Sequence, residues 1–227
     1  MRIGIVDDEN DILEFLAQVL LAAGHTCTPF RRSLDLVTAL RRETFDLLIV
    51  DWNMPEMSGM DVIQWVRAHI SPCPPVIMLT SRSDKDDIAT ALNAGADDFI
   101  VKPETANVIQ ARVEALLRRS RVMGVPDQHE RFGPYLFDRR NEEVTLNGTA
   151  ISLTSKEFAL AHAFFSNLHK PLSRGYLMEN VWHSLADLST RTLDMHVSRI
   201  RSKLQLRSDN GYRLLTVFGY GYRLETC

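Results

Sequence analysis

The sequence predicts an α/β domain of the doubly wound (βα)5 kind, followed by an α+β domain of winged helix-turn-helix form. Three observations lead there. Five short apolar runs in the first half alternate with helical patterns, as in a parallel sheet covered on both faces. The second half carries alternating strands about tight turns, together with three helical stretches. The charge also changes sign: residues 1–120 hold 12 Lys and Arg against 18 Asp and Glu, and the remainder 14 against 11. An acidic half joined to a basic half, within 227 residues, implies two domains with different partners.

In the first half, strands are expected near 2–6, 26–30, 46–50, 75–79 and 98–101, with helices near 10–23, 33–43, 58–69, 84–94 and 105–119. Ile12, Phe15, Leu16, Val19 and Leu20 recur at three- and four-residue spacing, and Gly24 follows where a C-terminal cap belongs. Periodicity lapses over 120–130, which is expected to be a linker between a domain at 1–119 and another at 131–227. Val144-Thr145-Leu146 and Thr149-Ala150-Ile151 flank Asn147-Gly148, a strong hairpin signal. Thr154 and Glu157 form a capping box for a helix bearing Phe158, Leu160, Ala161, Phe164 and Phe165. Further helices are expected near 173–182 and 190–205, and a terminal hairpin over 212–224 turns about Gly219.

Cys27, Cys73 and Cys227 are scattered and form no C-x-x-C pair, so neither a disulfide framework nor a zinc site is implied. No apolar run reaches the length of a membrane span, and the N-terminus lacks a signal-peptide core. A cytoplasmic protein with no membrane partner is expected.

The polar residues that close the apolar runs carry the chemistry. Asp7 and Asp8 follow the first, Asp51 the third, Thr80 the fourth and Lys102 the fifth, and open parallel sheets bind ligands outside the carboxyl ends of their strands. Clustered carboxylates at about 4 Å repel by roughly 4 kcal/mol at an effective dielectric of 20, so the cluster must raise a pKa or recruit a cation. Oxygen-only donors suit Mg²⁺. A carboxylate such as Asp51 can accept a phosphoryl group, while Lys102 and Thr80 suit a tetrahedral anion. Any one of these residues taken alone is more simply a turn former or helix cap.

Val6-Asp7-Asp8-Glu9, Asp51-Trp52-Asn53-Met54-Pro55-Glu56-Met57-Ser58-Gly59, Leu79-Thr80-Ser81 and Lys102-Pro103 resemble the signature blocks of response-regulator receiver domains from two-component signalling. The resemblance implies a phosphoacceptor at Asp51 served by a sensor histidine kinase. It also implies Mg²⁺ held by Asp7, Asp8, Asp51 and the backbone carbonyl of Asn53, and phosphoryl contacts from Thr80 and Lys102. Thr80 and Phe99 take the switch positions, and the fourth helix, fifth strand and fifth helix form a homodimer face. On that face Ile88 and Val108 stand where the family often has charges, and Glu104 where it commonly has Phe. Asp97, Asp98, Arg112, Arg118 and Arg119 remain as candidates for pairs between subunits.

In the second half, Leu193, Val197, Ile200 and Leu204 form an apolar stripe, with Arg191, Arg199, Arg201 and Lys203 on the other faces. A solvated basic face is the usual meaning of such a run. Its setting, from Leu153-Thr154-Ser155-Lys156-Glu157-Phe158 through Val181-Trp182 to Phe218-Gly219-Tyr220-Gly221-Tyr222-Arg223, resembles the OmpR/PhoB-type winged-helix effector domain. That resemblance places the 190–205 helix in the major groove of double-stranded promoter DNA and the 212–224 hairpin near the minor groove. RNA polymerase would meet residues 183–189. The candidate DNA contacts are Arg191, Thr192, His196, Ser198, Arg199, Arg201, Lys203, Arg213, Tyr220 and Arg223. Phe218 and Ser198 replace residues often basic in the family, which predicts a shallower salt dependence.

The expected function is a transcription regulator switched by phosphorylation, catalysing only its own phosphorylation and dephosphorylation. Two alternatives compete. A haloacid-dehalogenase-type phosphohydrolase would need an Asp two residues after its nucleophile, where this chain has Asn53. A phosphorylation-independent regulator would use the first domain only to dimerise, which leaves Asp7, Asp8, Asp51, Thr80 and Lys102 without a purpose.

Overall fold

In the computed structural model the described residues are 1–81, 85–120, 129–182 and 190–227, without the side chains of 85–88, 120, 190 and 191. The chain divides into two compact units, Met1–Arg41 with Phe45–Met123 and Arg42–Thr44 with Gly124–Cys227. The first holds β1 (Arg2–Val6), α1 (Asn10–Ala22), β2 (Thr26–Phe30), α2 (Ser33–Leu40), β3 (Leu47–Asp51), α3 (Gly59–His69), β4 (Val76–Thr80), α4 (Lys85–Asn93), β5 (Asp98–Val101) and α5 (Ala106–Ser120). Its five strands lie parallel in the order β2-β1-β3-β4-β5.

Alternation along the strands divides the core in two. Ile3, Ile5, Leu47, Ile49, Ile77, Leu79 and Ile100 pack beneath Leu13, Leu16 and Leu20 of α1 and Ile109, Val113 and Leu116 of α5. Val6, Leu48, Val50, Val76 and Met78 pack against Leu36 of α2 and Val62, Ile63 and Val66 of α3. Every residue of β3 and β4 is buried, which is why those runs read as continuously apolar. The doubly wound expectation is met, with helix ends differing by one to three residues. Gly24 does close α1: its φ is 79°, and its N–H donates to Leu21 O at 2.9 Å.

The second unit begins with β6 (His129–Phe132), β7 (Tyr135–Asp138), β8 (Glu143–Leu146) and β9 (Thr149–Ile151), an antiparallel sheet in chain order. Then come α6 (Ser155–Phe165), β10 (Leu172–Ser173), α7 (Arg174–Trp182), α8 (Thr190–Lys203), a single 3-10 turn at Ser208–Asn210, β11 (Tyr212–Val217) and β12 (Gly221–Thr226). β12 is the middle strand of β10-β12-β11. The three helices enclose one core that includes Phe158, Phe164, Phe165, Leu193, Val197, Ile200 and Leu204. Trp182 is half-buried against it.

Three sequence expectations are confirmed here. Asn147 and Gly148 have φ of 50° and 81°, both in the left-handed region that a type I′ hairpin needs. Thr154 and Glu157 form the capping box of α6 in both directions. The terminal hairpin turns at Gly219, φ 71°.

Two expectations need correction. The linker placed at 120–130 is too long, because α5 includes Ser120 and β6 begins at His129. Strands β6 and β7 were not expected at all, since the Gly133-Pro134 turn between them cuts the apolar pattern into four-residue pieces. Ile88 and Arg191 belong to helices whose side chains there are not described, and residues 183–189 lie outside the described residues.

Candidate functional site

The carboxyl edge of the parallel sheet gathers two of the five residues, Asp7 and Asp51, around the ammonium of a third, Lys102. Asp7 directly follows β1 and is fully buried. Its Oδ1 accepts the Glu9 N–H at 3.0 Å, and its Oδ2 accepts Lys102 Nζ at 2.7 Å. Asp51 ends β3, its Oδ1 2.8 Å from the same Nζ while Oδ2 accepts the Asn53 N–H at 2.8 Å. Glu9 adds a more distant carboxylate 3.8 Å from Lys102. Lys102 leaves β5 with its backbone N–H on Thr80 O at 2.7 Å. Thr80, the last residue of β4, is buried. Asp8 is exposed at the rim.

Electrostatics follow from two buried carboxylates sharing one cation. Burial pushes the Asp51 carboxyl up and Asp7 adds to that, while Lys102 and the Asn53 N–H offset part of the rise. Burial alone would lower the Lys102 ammonium; its bonds to Asp51 and Asp7 outweigh that and raise it. With both carboxylates ionised the trio carries one net negative charge.

Gly59 explains how Asp51 is presented. The first residue of α3 lies so close to β3 that a Cβ there would sit 2.1 Å from Asp51 O, and its N–H donates to Trp52 O at 3.0 Å. Ser58 and Asp61 cap the same helix end reciprocally. Gly59 closes the Asp51–Gly59 motif, whose sequence alone does not reveal this contact.

The expected dimer face is partly engaged within the chain. Asp97 Oδ2 accepts Arg67 Nη2 at 2.7 Å and the Val76 N–H at 2.7 Å. Asp98 holds Arg112 Nη1 at 3.0 Å from each oxygen, and the Arg112 guanidinium lies 5.8 Å from the centre of the Phe99 ring. Phe99, Glu104 and Val108 are half-buried, and Arg118 and Arg119 are exposed.

In the second unit, α8 buries its predicted stripe and turns Ser198 and Arg199 to solvent. Three of its other polar residues, Arg201, Lys203 and His196, make bonds within the unit. Arg201 Nε donates to Leu214 O at 3.1 Å, and Lys203 Nζ donates to Glu157 Oε2 at 2.7 Å. His196 Nδ1 lies 2.8 Å from Thr192 O, its ring edge-on to Trp182 at 5.2 Å. Thr192 and Tyr220 are half-buried and Arg213 is exposed. Arg223 pairs with Glu225.

One cluster was not anticipated. Tyr222 of β12 donates to Asp194 Oδ1 of α8 at 2.5 Å. Arg174 of α7 pairs with the same carboxylate, its guanidinium 5.2 Å from the centre of the Tyr222 ring. The hydrogen bond from Tyr222 holds the Asp194 carboxyl low against the effect of burial, with Arg174 assisting. The clamp fastens α8 to the terminal hairpin. Asp194, an acid within a basic helix, was the available signal.

An acidic cluster around one lysine at the edge of a (βα)5 sheet, joined to a winged helix-turn-helix, is the architecture of a regulator with an input domain and a DNA-binding output domain. Comparison with known proteins agrees. Residues 3–114 match the model of the response regulator receiver domain, and residues 148–224 that of the C-terminal transcriptional regulatory protein domain. The chain is 37% identical over 224 residues to the sensory transduction protein RegX3 of Mycolicibacterium smegmatis, covering 97% of each chain. It is 34% identical to the DNA-binding response regulator MtrA of the same organism, covering 98% of this chain and 96% of that one. A two-component response regulator from Clostridium difficile shares the fold, with TM-score 0.50 and 23% identity over 53% of this chain and 98% of that one.

The chain belongs to the OmpR/PhoB-type response regulators, which regulate transcription within two-component systems. This family consists of DNA-binding regulators, not enzymes in the usual sense, and a sensor kinase and DNA are its partners. Among the described residues no helix is long and apolar enough to cross a membrane.

Proposed function

We propose that Asp51 accepts a phosphoryl group from a histidine kinase and that this event drives dimerisation and binding to promoter DNA in the cytoplasm. The observation that carries the reading is the single Lys102 ammonium between Asp7 and Asp51, at 2.7 and 2.8 Å. Asp51 Oδ attacks phosphorus as the P–N bond of phosphohistidine breaks, and the leaving imidazole takes a proton. Lys102 then exchanges its Asp51 contact for a phosphoryl oxygen, so the new charge meets a cation already in place. Thr80, at the end of the adjacent strand, supplies a hydroxyl donor. Hydrolysis of the same acyl phosphate resets the site.

The residues fit Mg²⁺ on chemical grounds, because the donors are all oxygen and the buried trio retains a negative charge. Asp7, Asp8, Asp51 and the Asn53 carbonyl would hold it. Bound there, Mg²⁺ neutralises charge on the transferring oxygens. The chain's own contribution is to bury Asp7 and Asp51, orient both with backbone N–H bonds, and keep Lys102 protonated.

Inward movement of Thr80 and Phe99 would alter the surface of α4, β5 and α5. Phe99 lies against Arg112, so repositioning it bears directly on the Asp98–Arg112 pair. Homodimerisation would use Ile88, Val108, Arg118 and Arg119, with Asp97, Asp98 and Arg112 exchanging their present partners for pairs between subunits. At the output, α8 enters the major groove with Ser198 and Arg199 foremost, joined by Arg191, Thr192 and His196. Arg201, Lys203, Arg213, Tyr220 and Arg223 contact the backbone or minor groove, and residues 183–189 meet RNA polymerase.

Phosphate-affinity electrophoresis after acetyl phosphate treatment in Mg²⁺ tests the input. A shifted band is expected for wild type and none for Asp51→Ala. Equal bands from the two proteins would refute Asp51 as the acceptor.

A further inference from the structure

We infer that Phe218 at the tip of the β11–β12 hairpin is an apolar wedge that enters the DNA minor groove and selects a deformable base step. The inference rests on the proposed placement of this hairpin beside the minor groove.

Phe218 is fully exposed, the most exposed large hydrophobic residue among the described residues. A solitary apolar residue on a surface is ordinary; its surroundings make this one different. In the second unit the exposed large hydrophobics among the described residues are Met195 and Phe218. One lies on α8 and the other on the hairpin tip, the two elements assigned to DNA. From Leu215 to Gly221 no residue carries a charge. Arg213 faces Glu225 four pairs back from Val217↔Gly221, about 13 Å along the strand, and Arg223 is paired with Glu225. The tip therefore has no cation to offer a phosphate. What it offers is an aromatic face.

The hairpin that carries the ring is also held in advance. Tyr220 N–H closes the turn on Val217 O at 3.0 Å, and Tyr220 O accepts the Arg174 N–H at 3.2 Å. Gly221 lies against β10 so tightly that a Cβ there would meet Leu172 O at 2.1 Å. The Tyr222–Asp194 bond at 2.5 Å then fixes the hairpin to α8. When α8 is seated in the major groove, the tip has little freedom to withdraw.

Phe inserted between base pairs unstacks them and kinks the duplex, at least cost where a pyrimidine precedes a purine. Specificity would come from TA or CA steps at a set distance from the bases read by α8. Arg at the same place would act through phosphate attraction and groove width.

The test uses the full chain treated with acetyl phosphate and Mg²⁺, with random-sequence DNA duplexes as the probe. Wild type is expected to recover an α8 motif with a TA or CA step at fixed spacing. Phe218→Ala should recover the motif without the step and bind the wild-type consensus about tenfold more weakly, with the same salt slope. Phe218→Trp should retain the step. Phe218→Arg should lose it and steepen the log–log salt slope by about 0.9 per hairpin.

A Phe218→Ala protein that recovers the step with undiminished affinity overturns the inference and leaves DNA binding intact. Loss of self-association in that variant, with the step retained, also overturns it by assigning the ring to a protein contact. A wild type that recovers no motif fails the proposed function itself, and this inference with it.

Discussion

The acidic pocket and the basic helix treat charge in opposite ways. At the sheet edge, Asp7 and Asp51 are buried around one Lys102 ammonium, so the proposed phosphoacceptor is also a paired group. On α8, pairing anchors cations that still reach the surface: Arg201 Nε donates to Leu214 O and the exposed Lys203 pairs with Glu157, while Ser198 and Arg199 face solvent. Buried pairing fixes the carboxylates at the sheet edge, whereas pairing on α8 leaves its cations unequally engaged before any partner arrives.

The contrast predicts unequal consequences for deleting a cation. Lys102→Ala leaves two buried carboxylates without their counterion. It should destabilise the first unit by about 3 kcal/mol in urea unfolding with a chelator present, and Mg²⁺ should restore part of that. A loss below about 1 kcal/mol would mean the pair behaves as a surface one. Gly59→Ala ranks next. Its Cβ must displace the Asp51 backbone, so about 2 kcal/mol of stability and a slower rate of phosphorylation by acetyl phosphate are expected together.

On the other side, Arg199→Ala should weaken specific DNA binding by about 1.5 kcal/mol if it reads a base. If it meets phosphate instead, the salt slope should fall by about 0.9. Lys203→Ala, whose ammonium is already engaged, should change either quantity less. Equal effects at the two positions would dissolve the comparison.

The smallest effect concerns Glu157, at the border of the two behaviours. Burial pushes its carboxyl up, but hydrogen bonds from Lys203 and the Thr154 N–H outweigh burial and hold it below its ordinary 4.5. A lowered folded value means this stabilisation is complete above 4.5 and disappears as pH falls through the folded value. Glu157→Gln keeps the helix cap and removes the titration. The second unit of this variant should therefore lose less stability on acidification than wild type. Parallel pH profiles would count against it.

The pocket was legible because strand ends are legible. Apolar runs of four residues announce their own termini, and parallel topology brings those termini to one edge, so the sequence alone groups Asp7, Asp51 and Lys102. Asp8 and Thr80 belong to the same edge by sequence, yet neither shares the ammonium. The helix was legible only as a pattern of faces. Which cations stay available depends on Glu157, Leu214 and Glu225, residues far along the chain that no periodicity connects. The Arg174–Asp194–Tyr222 clamp escaped for the same reason, joining three elements through side chains 20 and 28 positions apart. Strands β6 and β7 escaped because four residues on either side of Gly133-Pro134 give too short a record of alternation.

Coupling between the two regions is the central claim, and one titration addresses it. Duplexes selected by the wild-type chain are titrated with wild type and with Asp51→Ala, each before and after acetyl phosphate in Mg²⁺. Wild type is expected to bind more tightly after treatment, with Asp51→Ala unchanged. Equal affinities for wild type before and after treatment, with the Asp51 phosphoryl group demonstrably present, would contradict the account.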